Sequence, residues 1–189
     1  QFDNFFAALA KDAGAKIFMQ HTFLRKENNN LIIKHKNKEI SITPDIVIAA
    51  DGPSSPTAHA YGLYHPERQN YFGIQAVVQG QFDNKSYQTH FGKEICPGFF
   101  AWVVPESSTS ARVGLAAKKD AKVYFNNFIA KNNFTVTEIQ AGMIPLYCPK
   151  QKLQQDNCYL VGDAAGFVKA TTLGGLVPGL KQAEILADC

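Results

Sequence analysis

Apolar residues recur at helical spacing at Phe2, Phe5, Phe6, Leu9 and Ala13, one stripe along an amphipathic helix that Gly14 ends. That stripe is expected to be core. The period then changes to two. Residues 16–24 and 31–36 read as strands around the polar turn Glu27-Asn28-Asn29-Asn30, and 39–43 and 45–50 continue the β pattern, the last as a buried strand. Residues 53–63 read as a turn and a short helix. From about Tyr71 onward, 71–82, 86–91, 99–104 and 111–116 form four strands with turn residues between them, the spacing of an antiparallel sheet. A helix is predicted over 121–131 and a further strand over 135–144, running into Pro145. The chain then reaches Asp156-Asn157, a short apolar run over 158–161, and an apparently helical segment from Leu176 onward.

These shifts divide the chain into 1–64, 65–150 and 151–189, with the middle piece inserted as an antiparallel-sheet lobe between two α/β pieces. No repeat or low-complexity segment interrupts it. The fold class is α/β (α+β). At 189 residues the chain has enough for one good core or two small lobes. A hydrophobic content of 46% with 19% charged residues fits a globular protein. The net charge of +3 gives no nucleic-acid signature. The one basic cluster, Lys34-His35-Lys36-Asn37-Lys38, lies between apolar strands and reads as a solvated hairpin turn. Cys96, Cys148, Cys158 and Cys189 lack C-x-x-C spacing and the five histidines are scattered, so no metal site is expected. Cys96 is read as a packed thiol. No apolar run reaches the ~18–20 residues of a membrane span. With no signal sequence visible, a cytoplasmic location is the default expectation.

The candidate chemistry sits near the end. Val161-Gly162-Asp163-Ala164-Ala165-Gly166, followed by Thr171-Thr172-Leu173-Gly174-Gly175-Leu176, reads as a strand, a tight turn with one acid, and a glycine pair opening a helix. Gly162 permits the sharp turn. An ionised Asp163 is acceptor-only and suits the hydroxyls of a ribose or ribityl chain. Gly174 and Gly175 let a ligand approach the backbone, where the free N–H groups of the next helix favour negative charge. A second string, the run 45–50 followed by Asp51-Gly52 and Ser54-Ser55, is a strand ending in another acidic turn.

An "ADGxxS" segment roughly a hundred residues before a "GDAAG" segment resembles the flavoproteins that include the aromatic hydroxylases and the geranylgeranyl reductases. Gly98-Phe99-Phe100-Ala101-Trp102-Val103-Val104-Pro105, then Val113-Gly114-Leu115-Ala116, looks like the substrate-domain signature of geranylgeranyl reductases, with Phe100 where that family usually has Tyr and Ala116 where it often has Gly. Gly166 to Thr172, and the opening Phe2-Asp3 with Leu9-Ala10 and Ala13-Gly14-Ala15, also resemble that family. The likeness spans nearly the whole chain. It implies the FAD-binding fold of this group, with 1–64 and 151–189 as parts of an FAD-binding domain and 65–150 as the substrate domain.

The resemblance also implies the site. Asp51, Gly52, Gly162, Asp163, Gly166, Gly174, Gly175 and Leu176 would lie along FAD. Phe23 would pass the adenine through its backbone, and Phe100, Trp102 and Pro105 would wall an apolar slot. The implied activity is reduction of double bonds in an isoprenoid lipid, with NAD(P)H or ferredoxin as alternative electron donors and peripheral contact with a membrane. No catalytic acid stands out among Lys169, Thr171, Thr172 and Tyr147. The group opens with G-x-G-x-x-G for the FAD pyrophosphate; none occurs here, so the chain is expected to be the central part of a longer flavoprotein. An Arg that the group usually carries about six residues after Asp51-Gly52 is replaced by Ala58 and His59. Two other readings stay open: an aromatic-hydroxylase-type monooxygenase, and a non-catalytic lipid-binding subunit.

Overall fold

The computed structural model describes residues 2–189. Helix α1 (Phe2–Asp12) forms as the stripe predicts, and Gly14, at φ +94°, lets the chain leave it. The stripe is not core. Phe2, Phe5, Phe6 and Leu9 are 40–59% exposed, their rings meeting one another, and no residue of α1 is buried. The apolar spacing formed the helix, but no described residue seals that face.

Strands β1 (His21–Glu27), β2 (Asn30–His35) and β3 (Lys38–Ile42) make an antiparallel meander. Asn28 and Lys36 take the left-handed turn conformation, so the basic run is the β2–β3 hairpin end. The expected strand over 16–24 is corrected: it begins only at His21, and Ile17, Phe18 and Met19 are exposed without a ladder partner. An apolar run alone does not make a strand where no neighbouring edge is offered. Next come β4 (Val47–Ala49) and the short α2 (Pro56–Ala60). β4 is shorter than expected and only half covered: Val47 and Ala49 are buried, whereas Ile46 and Ile48 are exposed.

The middle of the chain follows the alternation closely. β5 (Asn70–Gln79), β6 (Gln88–Phe91), β7 (Phe100–Pro105), β8 (Ser110–Ala117), α3 (Ala121–Lys131) and β9 (Thr135–Pro145) give an antiparallel sheet of order β6-β7-β8-β5-β9. One face carries Ala76, Val78, Ala101, Val103, Val113 and Leu115 and packs on Phe125 and Phe128 of α3. Period-two alternation puts Phe100, Trp102, Gly114 and Gln75 on the other face, where Gly114 is the direct cross-strand neighbour of both Trp102 and Gln75 and Phe100 pairs with Phe91. Cys96 is buried as expected, its Sγ 2.9 Å from the Ala116 carbonyl. Leu115 is fully buried, so Leu115→Ala is expected to cost about 2–5 kcal/mol of stability, read as a lower urea midpoint.

β10 (Gln154–Gln155), β11 (Cys158–Leu160), a single 3-10 turn (Gly162–Ala164) and α4 (Leu176–Ala187) complete the chain. β11 pairs in parallel with β4, joining residues more than a hundred apart in sequence. A parallel pair needs a crossover; here everything from α2 to β10 forms it. The pair packs with Ala58, Tyr61, Leu63 and Ala165 into a second core. A third cluster, Tyr71, Ala116, Val168 and Leu173, fixes the loop before α4 to the five-stranded sheet.

Candidate functional site

The carboxyl ends of β4 and β11 lie side by side, with the Val161 N–H donating to the Ala49 carbonyl at 3.0 Å. Both strands end in an acidic glycine turn there, the place where open α/β sheets take ligands. A cleft of about 610 Å³ opens at this point. One turn supplies Ala50 and Gly52, the other Val161, Gly162 and Asp163, and α4 supplies Gly175, Leu176, Gly179 and Leu180, with Asp3 of α1 at the edge.

Glycines set the closeness of α4. A Cβ on Gly175 would stand 2.7 Å from Asp163 Oδ1, and one on Gly179 would stand 3.3 Å from the Gly162 Cα. The Asp163 carboxylate thus lies against the amino end of α4, whose free N–H groups favour negative charge. Gln182 locks the helix down: its Oε1 accepts from the Gly162 N–H at 2.9 Å, and its Nε2 donates to the Leu160 carbonyl at 3.1 Å. Burial raises the Asp163 pKa above the usual carboxylate value, against the opposing pull of the Arg68 charge.

Arg68 holds the turn from beneath. It is 7% exposed; its Nη1 donates to the Ala164 carbonyl at 2.7 Å and its Nη2 to the Asp163 carbonyl. The guanidinium carbon sits 5.1 Å from the Tyr64 ring centre. The chain therefore places a cation next to the second acidic turn, although Ala58 and His59 follow the first. Sequence reasoning missed both Arg68 and Gln182. Gln182 could have been found one helical heptad beyond Gly175, on the face that meets the glycine turn; Arg68, in an irregular loop, carries no periodic signal.

The Asp51 carboxylate is engaged within its own turn. Its Oδ1 accepts from Ser55 Oγ at 2.5 Å and its Oδ2 from the Thr57 N–H at 2.9 Å, while Ser55 Oγ caps α2 by accepting from the Ala58 N–H at 3.0 Å. Burial opposes its ionisation, but these hydrogen bonds outweigh that and hold its pKa below the ordinary value. Of the residues expected along a cofactor, the structure brings together Gly52, Gly162, Asp163, Gly175 and Leu176 around the cleft. Phe23 lies in β1 opposite Ile33 and does not border it. Gly166, at φ +74°, closes the turn through its N–H to the Asp163 carbonyl, and the Gly174 carbonyl accepts from the Lys169 N–H; both shape the loop behind the cleft.

The aromatic signature lies on the open sheet face. Trp102 Nε1 donates to Gln75 Oε1 at 3.0 Å, and the indole lies over Gly114, where a Cβ would stand 2.4 Å from Cζ2. Phe100 stacks on Phe99 at 4.3 Å between centroids and meets Trp102 edge-on at 6.2 Å. Trp102 walls a shallow groove of about 270 Å³ with Gly73, Gln75, Gln140, Gly142 and Ile144. Phe100 adjoins this wall through its ring, whereas Pro105 pairs with Ala111 at the far end of β7 and does not border the groove. Ile144 borders the groove and also packs on the Val168 and Leu173 cluster, so groove and glycine turn share one connecting loop.

No family model matches the chain. The digeranylgeranylglycerophospholipid reductase of Methanocaldococcus jannaschii is 32% identical over 195 residues, covering 93% of this chain and 49% of that protein. Digeranylgeranylglycerophospholipid reductase 3 of Methanosphaera stadtmanae is 33% identical over 201 residues, covering 97% of this chain and 51% of that protein. The chain spans about half the length of the curated relatives it matches. Among solved structures, a geranylgeranyl bacteriochlorophyll reductase-like protein from Thermoplasma acidophilum superposes with a TM-score of 0.87 at 25% identity, over 99% of this chain and 52% of that one. The flavin-dependent halogenase CmlS shares the fold at a TM-score of 0.74 and 16% identity, over 96% of this chain and 38% of the halogenase.

Proposed function

We propose, for a chain that belongs to the geranylgeranyl reductase family of FAD-dependent oxidoreductases, that it forms the sugar-and-phosphate side of an FAD site and the apolar slot in which an isoprenoid lipid chain is reduced. The observation that carries this reading is the cleft between two parallel strand ends, closed by a glycine-faced helix and one partly buried carboxylate. Its residues fit the group. Gly52 and Gly162 leave backbone open where a bulky ligand must approach, Asp163 offers acceptors to hydroxyls, and the amino end of α4, brought close by Gly175 and Gly179, favours negative charge. Gly52, Gly162, Asp163, Gly175 and Leu176 would hold FAD, with Gly166, Gly174, Gln182 and Arg68 shaping their loop. Asp51 and Phe23 would support the site only through the turn and sheet they build.

FAD, when bound, supplies the hydride chemistry. The chain's own part is binding and exclusion of water. Trp102, held by Gln75 and seated on Gly114, offers a flat apolar wall to a prenyl chain. The residues around the groove carry no titratable side chain. The proton that completes a saturated bond therefore enters from outside that wall. A substrate of this class resides in a bilayer, so the protein works in contact with a membrane surface.

The raised Asp163 pKa gives a direct test. Protonation removes an acceptor from the sugar hydroxyls, so FAD affinity should fall as pH falls through the raised Asp163 pKa. The fall should begin at a higher pH than an exposed carboxylate, with its value of about 3.9, would give. Flavin fluorescence titrations at stepped pH would show this, and Asp163→Asn should flatten the profile. A wild-type profile as flat as that of the Asn variant would remove Asp163 from the flavin site.

A further inference from the structure

The five-stranded sheet is covered unevenly. α3 lies over the middle strands, and β9, the outermost strand on one side, is left open on that same face. There Ile139, Ala141 and Met143 stand opposite Ala76, Ile74 and Phe72. Ile139 is 62% exposed and Phe72 47%. A cavity of about 710 Å³ lies along this strip, with Phe72, Ile74, Ala141 and Met143 as its apolar wall. Its rim is the β8–α3 loop with the first turn of α3: the loop supplies Lys118 and Lys119 and the helix Lys122, against a single acid, Asp120. Lys118 Nζ bonds the Gln69 side-chain carbonyl at 2.8 Å, while Lys119 and Lys122 have no carboxylate partner among the described residues.

We propose that this β9 edge is a docking surface for an anionic lipid bilayer. Charge complementarity carries the choice of partner. Two ammonium groups without a carboxylate partner, Lys119 and Lys122, rim an aliphatic strip, with Lys118 beside them held toward Gln69 and the Tyr71 ring, and a bilayer presents phosphates directly above hydrocarbon. Lysine stems lie along apolar surface while their charges reach the headgroups. Ile139, Phe72 and Met143 enter the interface between them. The surface rests on the lipid-reductase reading, since such an enzyme must draw its substrate from a membrane. It is separate from the cleft at Asp163, and alternation turns its side chains to the other sheet face from Trp102, although Ile74, Ala141 and Met143 border both this cavity and the Trp102 groove.

Co-sedimentation of the chain with phosphatidylcholine vesicles, with and without phosphatidylglycerol, tests the surface without reading prenyl reduction. Binding is expected only with the anionic lipid and should weaken as salt is raised. Each lysine near such a surface is worth roughly a fivefold factor in partitioning, so Lys119→Glu/Lys122→Glu should lower binding more than tenfold. Ile139→Ser should lower it severalfold. Lys36→Glu/Lys38→Glu, in the other basic cluster, should leave it unchanged. Circular dichroism checks that each variant keeps the parent's fold. Equal binding to both vesicle types, no binding to either, full binding by Lys119→Glu/Lys122→Glu, or loss confined to the hairpin variant would each overturn the assignment. A chain that binds anionic vesicles through these residues yet never supports prenyl reduction keeps the docking surface and loses the reductase reading instead.

Discussion

Asp163→Ala, in the protein expressed together with the dinucleotide-binding segment that this flavoprotein group carries, is expected to release FAD at least tenfold more readily than the parent. The missing carboxylate removes a charge-assisted hydrogen bond to a sugar hydroxyl, worth about 1.5–3 kcal/mol. Gly175→Ala should produce a comparable loss while keeping the acid in place. Its new Cβ would stand 2.7 Å from Asp163 Oδ1, so either the carboxylate or the start of α4 must move. The two losses should not add, because both act on one carboxylate against one helix end. Flavin content after gel filtration and the fluorescence of released FAD measure them. Full flavin retention in both variants would place the cofactor elsewhere.

Trp102→Ala is expected to slow prenyl reduction by an order of magnitude or more while sparing flavin. The indole makes its contacts on the open sheet face with Gln75, Phe100 and Gly114, apart from the residues of the glycine-turn cleft. Its loss removes a large aromatic wall from the slot and little from the core, which lies on the other face with α3. The contrast with Leu115→Ala is diagnostic, because that change should lower stability first and activity only as a consequence. Equal loss of flavin, stability and activity in Trp102→Ala would make the tryptophan a packing residue and end the slot assignment.

The parts of this structure that alternation governs were legible in the sequence. The strand pattern of residues 99–116 separates Ala101 and Val103 from Phe100 and Trp102, and the structure sends those pairs to opposite faces. The helix over 121–131 and the glycine-led start of α4 also follow from local chemistry. What escaped depends on contacts between distant segments. Asp51 looks equivalent to Asp163 in sequence, each beside a glycine at a strand end. Ser55 and the Thr57 N–H take up the first carboxylate, whereas burial against α4 leaves the second facing the cleft. Arg68 carries no pattern at all, yet it fixes the Asp163–Ala164 backbone from some ninety-five residues away. The α1 stripe shows the converse: its periodicity is that of a buried helix, but its phenylalanines are exposed. Periodicity specifies which face is apolar and says nothing about what covers it.

The measurement that bears most directly on the central reading is product analysis under strict exclusion of air. The FAD-loaded protein, reduced chemically and mixed with a geranylgeranyl-bearing phospholipid, should oxidise its flavin and return a lipid carrying two additional hydrogens for each double bond consumed. Mass spectrometry of the extracted lipid would record that gain, and Trp102→Ala should diminish it at unchanged flavin content. A lipid recovered with every double bond intact, while the same protein in air inserts oxygen into an aromatic substrate, would contradict the reductase reading and move the chain to the oxygenase side of its fold.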